Sequence, residues 1–121
     1  MTRGRRRYRI GTAPPSLNNA SVNVRGRGRV KVKRSVKWAE AAGWELIEQG
    51  RCKIDGPFGF AMRVNPAATK ADLDNLVKPV VDLLVQMFFV DDDRNLATLE
   101  AAWDRSVDCV EIEIWAADNW R

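Results

Sequence analysis

Three acidic positions and one lysine are spaced in a way that could support phosphodiester chemistry. Asp72 and Asp74 stand two residues apart in the stretch ADLDNLVK, and Lys78 follows Asp74 at the i, i+4 spacing of one helical face. A run of three aspartates then occupies 91–93. Carboxylates repel a phosphate unless a divalent cation lies between them, and Mg²⁺ takes oxygen ligands of this kind. The pattern predicts Mg²⁺-dependent hydrolysis of a phosphodiester.

The sequence contains no histidine, which is consistent with that chemistry. A metal ion can activate water without an imidazole base, and a lysine can stabilise charge that develops on the phosphate. Each feature also has a purely structural interpretation. Asp72 and Asp74 could simply begin a helix, and the run 91–93 could be a solvated turn.

The charge distribution indicates a polyanionic partner. Residues 1–39 contain twelve Lys or Arg and no acidic residue, whereas residues 40–121 carry a net charge of −8. In the stretch VNVRGRGRVKVKR, basic residues alternate, so an extended chain would place all of them on one face. The alternative is a disordered basic arm, and either form would bind the phosphates of a nucleic acid. The alternating residues are Arg25, Arg27, Arg29, Lys31 and Lys33.

Hydrophobic periodicity predicts four strands and two helices. Strands are expected at 8–12, within PFGFAMRVN, at 96–103 and at 107–116, with a turn near 104–106 between the last two. One helix is expected from Ser35, as the N-cap, to Gln49, with Gly50 ending it. A second, largely buried helix with a polar stripe is expected over 76–90.

The start of this second helix has two solutions. Asp74 could cap or open it, with Asp72 as the last extended residue. Alternatively, the helix could begin with Pro79 at its first position, since proline lacks the N–H that a helix interior needs.

Length and composition favour one α+β domain over residues 1–121: a mixed sheet with two principal helices on one face, and a basic N-terminal segment, 1–9, that could be flexible. Cys52 and Cys109 are far apart in the sequence and are interpreted as packing residues. No apolar run reaches the ~18 residues of a membrane span, and no secretory signal is evident. We expect a protein of the cytoplasm.

Several segments resemble the RusA-type Holliday junction resolvases, a family of crossover junction endodeoxyribonucleases often encoded by prophages and bacteriophages. They are PPSLN, the basic stretch leading into a helix, DLDNLVKPVVDLL, and an aspartate cluster about twenty residues further on. The resemblance extends from Pro14 to the final strand. It implies a homodimer that binds four-way DNA junctions and makes paired nicks with Mg²⁺ or Mn²⁺, in DNA recombination and repair.

The resemblance also implies roles for individual residues. The catalytic, metal-binding aspartates fall on Asp72, Asp74 and Asp93, and the essential lysine falls on Lys78. A shift of one residue would make Asp92 the third ligand. Some relatives carry arginines directly before the first aspartate, where this chain has Thr69, Lys70 and Ala71. The chain departs from those relatives at this point. Lys70 and the basic residues of 25–33 are the expected DNA contacts.

Two other functions are compatible with the same residues. The first is a flap or fork nuclease that acts as a monomer. The second is a basic DNA-binding protein whose acidic cluster is inert.

Overall fold

A computed structural model of the chain describes residues 4–15, 21–24, 28–31 and 33–118, with the backbone alone for 21–24, 28–31 and 33. The elements are β1 (Arg6–Ile10), β2 (Ser21–Val24), β3 (Gly28–Lys31), α1 (Lys33–Glu48), β4 (Phe58–Val64), α2 (Asp74–Gln86), β5 (Leu96–Trp103) and β6 (Val110–Ala116). Short 3₁₀ helices lie at Pro66–Ala68 and Asp93–Asn95. No helix in the described part of the chain is long and apolar enough to cross a membrane.

The main sheet has four strands in the order β1-β6-β4-β5. β6 runs antiparallel to both β1 and β4, while β5 runs parallel to β4. The predicted mixed sheet and α+β class are therefore confirmed. The strands predicted at 96–103 and 107–116 also exist, the second beginning at Val110, but they do not pair with each other because β4 lies between them.

The core forms on one face of this sheet. In β4 the residues that point inward are buried, as their alternation predicted, and the inward residues of β6 follow the same rule. Buried residues of both helices belong to the same cluster, so both helices pack against this face. The contributing residues are Phe58, Phe60, Met62 and Val64 of β4, Val110, Ile112 and Ile114 of β6, Trp38, Ala42 and Leu46 of α1, and Leu76, Val80, Val81, Leu83 and Leu84 of α2.

The ends of α1 differ in how well they were predicted. Gly50 has φ +93°, a left-handed conformation that glycine adopts freely, and its predicted role in ending the helix is confirmed. Ser35 as N-cap is wrong, because α1 begins at Lys33 and Ser35 is its third residue. Within the described residues its buried Oγ has no hydrogen-bond partner, whereas a capping hydroxyl accepts from a backbone N–H.

α2 begins at Asp74, so the alternative start at Pro79 is wrong and this proline lies inside the helix. The helix ends at Gln86, four residues before the predicted Val90. Phe88 explains the early end: it adopts φ 62°, and a helix cannot continue through a left-handed residue.

The basic stretch is not extended to its end, because Lys33 belongs to α1. β2 and β3 pair antiparallel, β3 ends at Lys31, and Lys33 already belongs to α1. An extended ribbon over the whole of 25–33 is therefore wrong, although Arg29 and Lys31 do lie in a strand. Arg25 and Arg27 lie outside the described residues. In the N-terminal segment, residues 6–9 belong to β1 and pair with β6.

Candidate active site

Lys78 links α2 to the segment that follows it. Its Nζ donates to Oδ1 of Asp82 at 2.8 Å and to Oδ2 of Asp93 at 2.6 Å. Lys78 and Asp82 thus form an i, i+4 ion pair on α2. The hydrogen bonds to Asp82 and then Asp93 raise the pKa of Lys78. Lys78 in turn is the main cause that lowers the pKa of the Asp93 carboxyl.

The path of the chain after α2 brings Asp93 to this lysine. Phe89 and Val90 turn back into the core, where the carbonyl of Phe89 accepts a hydrogen bond of 2.8 Å from the N–H of Ile54. Ile54 and Val90 also form a parallel β-bridge. These contacts fix the position at which the chain leaves the core, directly before the three aspartates of 91–93.

The three consecutive aspartates make different contacts. Asp91 accepts from Nζ of Lys53 at 2.7 Å and from the N–H of Gly56 at 3.2 Å, so it ties down the loop before β4. Asp92 caps the second 3₁₀ helix, accepting from the N–H of Arg94 at 2.9 Å. Asp93 bonds to Lys78. Asp91 and Asp92 are thus engaged in local structure, and Asp93 extends the contacts of α2.

Asp74 lies beside Lys78 and Asp93 in a cavity of about 260 Å³, which we call the Asp74 pocket. Asp74 is the first residue of α2, where a negative charge is favoured by the helix dipole. The rest of the lining is apolar and comes from α2 and β5: Val77, Val81, Leu96 and Leu99. The structure therefore gathers three of the four predicted catalytic residues in one place.

Asp72 lines a different cavity, a cleft of about 790 Å³ that we call the Asp72 cleft. Lys70, Arg34 and Asn75 share it. The carbonyl of Asp72 accepts from the N–H of Asn75 at 3.1 Å, so the chain turns here, immediately before the helix. Lys70 is an expected DNA contact, whereas Arg34 was missed although it ends the basic stretch.

The donor atoms of the Asp74 pocket suit Mg²⁺, which commonly takes one or two carboxylates together with water and phosphate oxygens. Asp74 is exposed and the side chain of Asp93 is 41% exposed, so both carboxylates can reach a solvated ion. Within the described residues, no three or more side chains of His, Cys, Asp and Glu are grouped so as to hold a metal among themselves. The fit therefore rests on two carboxylates, with other ligands from water and substrate.

Comparison with known families gives one match. Residues 11–115 match the family described as Endodeoxyribonuclease RusA. All the residues that line the Asp74 pocket and the Asp72 cleft lie within this range. No curated protein matches the sequence significantly.

Proposed function

The chain belongs to the RusA family of endodeoxyribonucleases, and we propose that it resolves four-way DNA junctions as a homodimer with the help of a divalent metal ion. The observation that carries the proposal is the hydrogen bond between Lys78 and Asp93, beside Asp74 in one pocket. It joins two segments that are separate in sequence into a set of carboxylates and a lysine that metal-dependent phosphodiester cleavage can use.

Asp74 and Asp93 would hold the metal, with water and phosphate oxygens as the other ligands, and Mg²⁺ is the expected ion with Mn²⁺ as a substitute. Asp72, predicted as a further ligand, lines the separate Asp72 cleft. When bound, the ion would supply positive charge beside the scissile phosphate and lower the pKa of a coordinated water. The contacts of Asp91 and Asp92 support Asp93, rather than Asp92, as the ligand from this run.

Lys78 would stabilise the negative charge that builds up on the phosphate during cleavage. Its ammonium group has two carboxylate partners, so it can release Asp93 and still be held by Asp82, one helical turn further along α2. Asp82 would thus orient the lysine toward the substrate. An arginine in place of Lys78 would present a planar fork instead of a compact charge and should replace it poorly.

The basic first third of the chain would grip the DNA backbone. Its residues 25–33 carry five positive charges, and Lys70 and Arg34 bring two more to the cleft occupied by Asp72. Phosphate contacts of this kind position a duplex without reading its sequence. A homodimer suits this substrate, because paired nicks in a two-fold junction require two sites related by a two-fold axis.

The test is cleavage of three DNA substrates with and without Mg²⁺: a mobile four-way junction, a linear duplex and a flap. We expect paired nicks confined to the junction and dependent on the metal. Cleavage of the flap by a monomer would identify a flap nuclease instead. Binding of the junction without any cleavage would identify a DNA-binding protein with an inert acidic cluster.

Asp74→Asn is the sharpest variant for this test, because it keeps the side chain's shape and removes the charge that a metal needs. Nicking should fall by orders of magnitude, while junction affinity in EDTA stays equal or tightens because one repulsive charge is gone. The thermal midpoint should change little, because the lost interaction with the helix dipole and the relieved repulsion from Asp93 oppose each other. Asp108→Asn, an exposed aspartate outside both cavities, is the matched control and should nick at the parental rate.

A further inference from the structure

The edge strand β5 is unusually open. Within the described part of the chain it pairs on one side only, with β4, and six of its eight residues are exposed. Its sequence, LATLEAAW, contains neither lysine nor proline, the residues that commonly protect a free edge. Leu99 and Trp103 are 51% and 42% exposed. An edge with these properties is suited to pairing with another strand.

Leu99, Ala101 and Trp103 share one face of β5. Their partners in β4 are Phe60, Met62 and Val64, all of which point into the core. The exposed apolar side chains of β5 therefore continue the core face of the sheet beyond the area that the helices cover. This gives β5 an apolar face and an open backbone edge at the same time.

We propose that β5 pairs antiparallel with β5 of a second copy, so that the two sheets join across a two-fold axis. The proposal rests on the homodimer of the proposed function and specifies the surface that forms it. Both copies would then carry their helices on the same side of one continuous sheet. The two Asp74 pockets would lie on that side as well, related by the two-fold axis.

Charge and side-chain size select the register. A pair centred on Glu100 would place two glutamates directly opposite each other, which is destabilising. A pair centred on Ala101 places Glu100 opposite Ala102 of the other copy and Leu99 opposite the partner's Trp103. The small Ala101 then meets its own copy at the axis. In this register the two large exposed side chains of β5 in one copy are each covered by the other copy, Leu99 by the partner's Trp103 and Trp103 by the partner's Leu99.

The pairing would complete the active site. Leu99 lines the Asp74 pocket, and half of its surface is exposed in the single chain. The partner's Trp103 would cover that surface and extend the apolar wall next to Lys78 and Asp93. Water exclusion at this wall strengthens the electrostatic contacts that cleavage depends on. Each site would thus be complete only in the dimer.

A second exposed apolar region provides the comparison that a test needs. Val36 and Trp44 of α1, 52% and 63% exposed, line a groove of about 400 Å³ between α1 and α2. Its lining includes the carboxylates of Glu40 and Asp82, and charged residues are depleted in the buried centre of protein interfaces. The groove is therefore the less favourable dimer surface.

The first measurement is sedimentation of Ala101→Lys, which would place two ammonium groups against each other at the axis. Ala101 is exposed, so the lysine does not disturb the core. We expect the dimer dissociation constant to rise roughly tenfold or more. Val36→Lys adds the same charge in the α1–α2 groove and should leave the dimer intact. The opposite result, with Val36→Lys dissociating the dimer and Ala101→Lys not, would overturn the proposal.

The second measurement is disulfide formation in a background with Cys52→Ser and Cys109→Ala. Ala101→Cys should give a covalent dimer under mild oxidation, because opposed residues have Cβ atoms about 5 Å apart. Ala97→Cys should not, since this register separates the two copies of Ala97 by about 27 Å along the strands. A dimer that links through Val36→Cys and not through Ala101→Cys would refute the β5 pairing and leave the proposed nuclease function untouched. A protein that stays monomeric, both free and on the junction, would refute the proposed homodimer and the β5 pairing together. Linkage through Ala101→Cys in a protein that cuts no junction would support the β5 pairing and refute the proposed function.

Discussion

Lys78 holds two carboxylates at once, yet these contacts are easily exchanged for others. The side chains of Lys78, Asp82 and Asp93 are 46%, 47% and 41% exposed. Ion pairs at such sites contribute only about 0–1 kcal/mol because water and salt screen them. A phosphate or a divalent ion can therefore compete for either partner at little energetic cost. The ion pairs therefore position the side chains of the site and still allow them to exchange partners.

Replacing Asp93 should separate catalysis from stability. Asp93→Asn removes the charge that faces Lys78, so nicking should fall by orders of magnitude, while the free energy of unfolding should change by no more than about 1 kcal/mol. Asp92→Asn keeps the oxygen that caps Arg94 N–H and should leave the nicking rate near the parental value. Nicking rates and thermal midpoints of the two variants decide the matter. Loss of nicking in Asp92→Asn alone would make Asp92 the third ligand.

The Lys78–Asp93 contact should also give stability a defined pH dependence. The pKa of Asp93 is lowered in the folded protein from its usual 3.8. The ionised Asp93 carboxylate therefore stabilises the fold above pH 3.8, and this stabilisation is lost as the pH falls through its folded-state pKa. The pKa of Lys78 is raised in the folded protein from its usual 10.5. The charged Lys78 ammonium group therefore stabilises the fold below pH 10.5, and this stabilisation is lost as the pH rises through its folded-state pKa. The difference in unfolding free energy between the parent and Lys78→Met should thus be largest near neutral pH and vanish in acid. Urea unfolding across this range measures it, and a difference that persists in strong acid would mean that the methionine acts through packing.

The positions of individual strands can be predicted from the sequence where one face of the strand is buried. The order of strands in the sheet cannot, because it depends on pairing between distant segments. The strand 58–64 can be predicted because large apolar residues alternate with the small or charged residues Gly59, Ala61 and Arg63. The insertion of β4 between β5 and β6 has no local signal, since it depends on pairing between distant segments. Pro79 shows the same limit: packing of α2 against the sheet outweighs the cost of a proline inside it.

The outer face of the sheet offers a test of one such packing relation. Gly59 of β4 lies under the ring of Trp115 of β6, and the guanidinium of Arg5 lies 3.8 Å from the centroid of that ring. A Cβ at Gly59 would overlap the indole. Gly59→Ala should therefore displace Trp115 and lower the free energy of unfolding by about 1–3 kcal/mol.

The control for Gly59→Ala is a double variant that also carries Trp115→Ala. Without the indole, the atoms nearest to the added methyl group are gone, so the cost of Gly59→Ala should largely disappear. Chemical denaturation of the parent, both single variants and the double variant gives the coupling free energy. Additive effects would show that Trp115 is not what makes glycine necessary at this position.

For the whole molecule, the net charge conceals two groups of arginines with different partners. Arg5 and Arg7 lie on the outer face of the sheet, where they pair with glutamates at distances of 3.2–3.6 Å. Those glutamates are Glu100, Glu111 and Glu113. Part of the positive charge in residues 1–39 is thus neutralised within the fold. This division depends on which strands are neighbours, so composition alone could not reveal it.

The salt dependence of junction binding should distinguish the two groups. The logarithm of the binding constant falls with the logarithm of salt concentration by about 0.9 per duplex phosphate contacted. If residues 25–33 grip the backbone, replacing Arg25, Arg27 and Arg29 with glutamine should reduce that slope by up to roughly 2.7. Replacing Arg5 and Arg7 with glutamine should change it little, because these side chains already have carboxylate partners. Titrations of a four-way junction in EDTA, which prevents cleavage, measure both slopes. A slope that falls only in the second variant would move the DNA-binding surface from the basic stretch to the outer face of the sheet, because those arginines must then exchange their glutamates for phosphates.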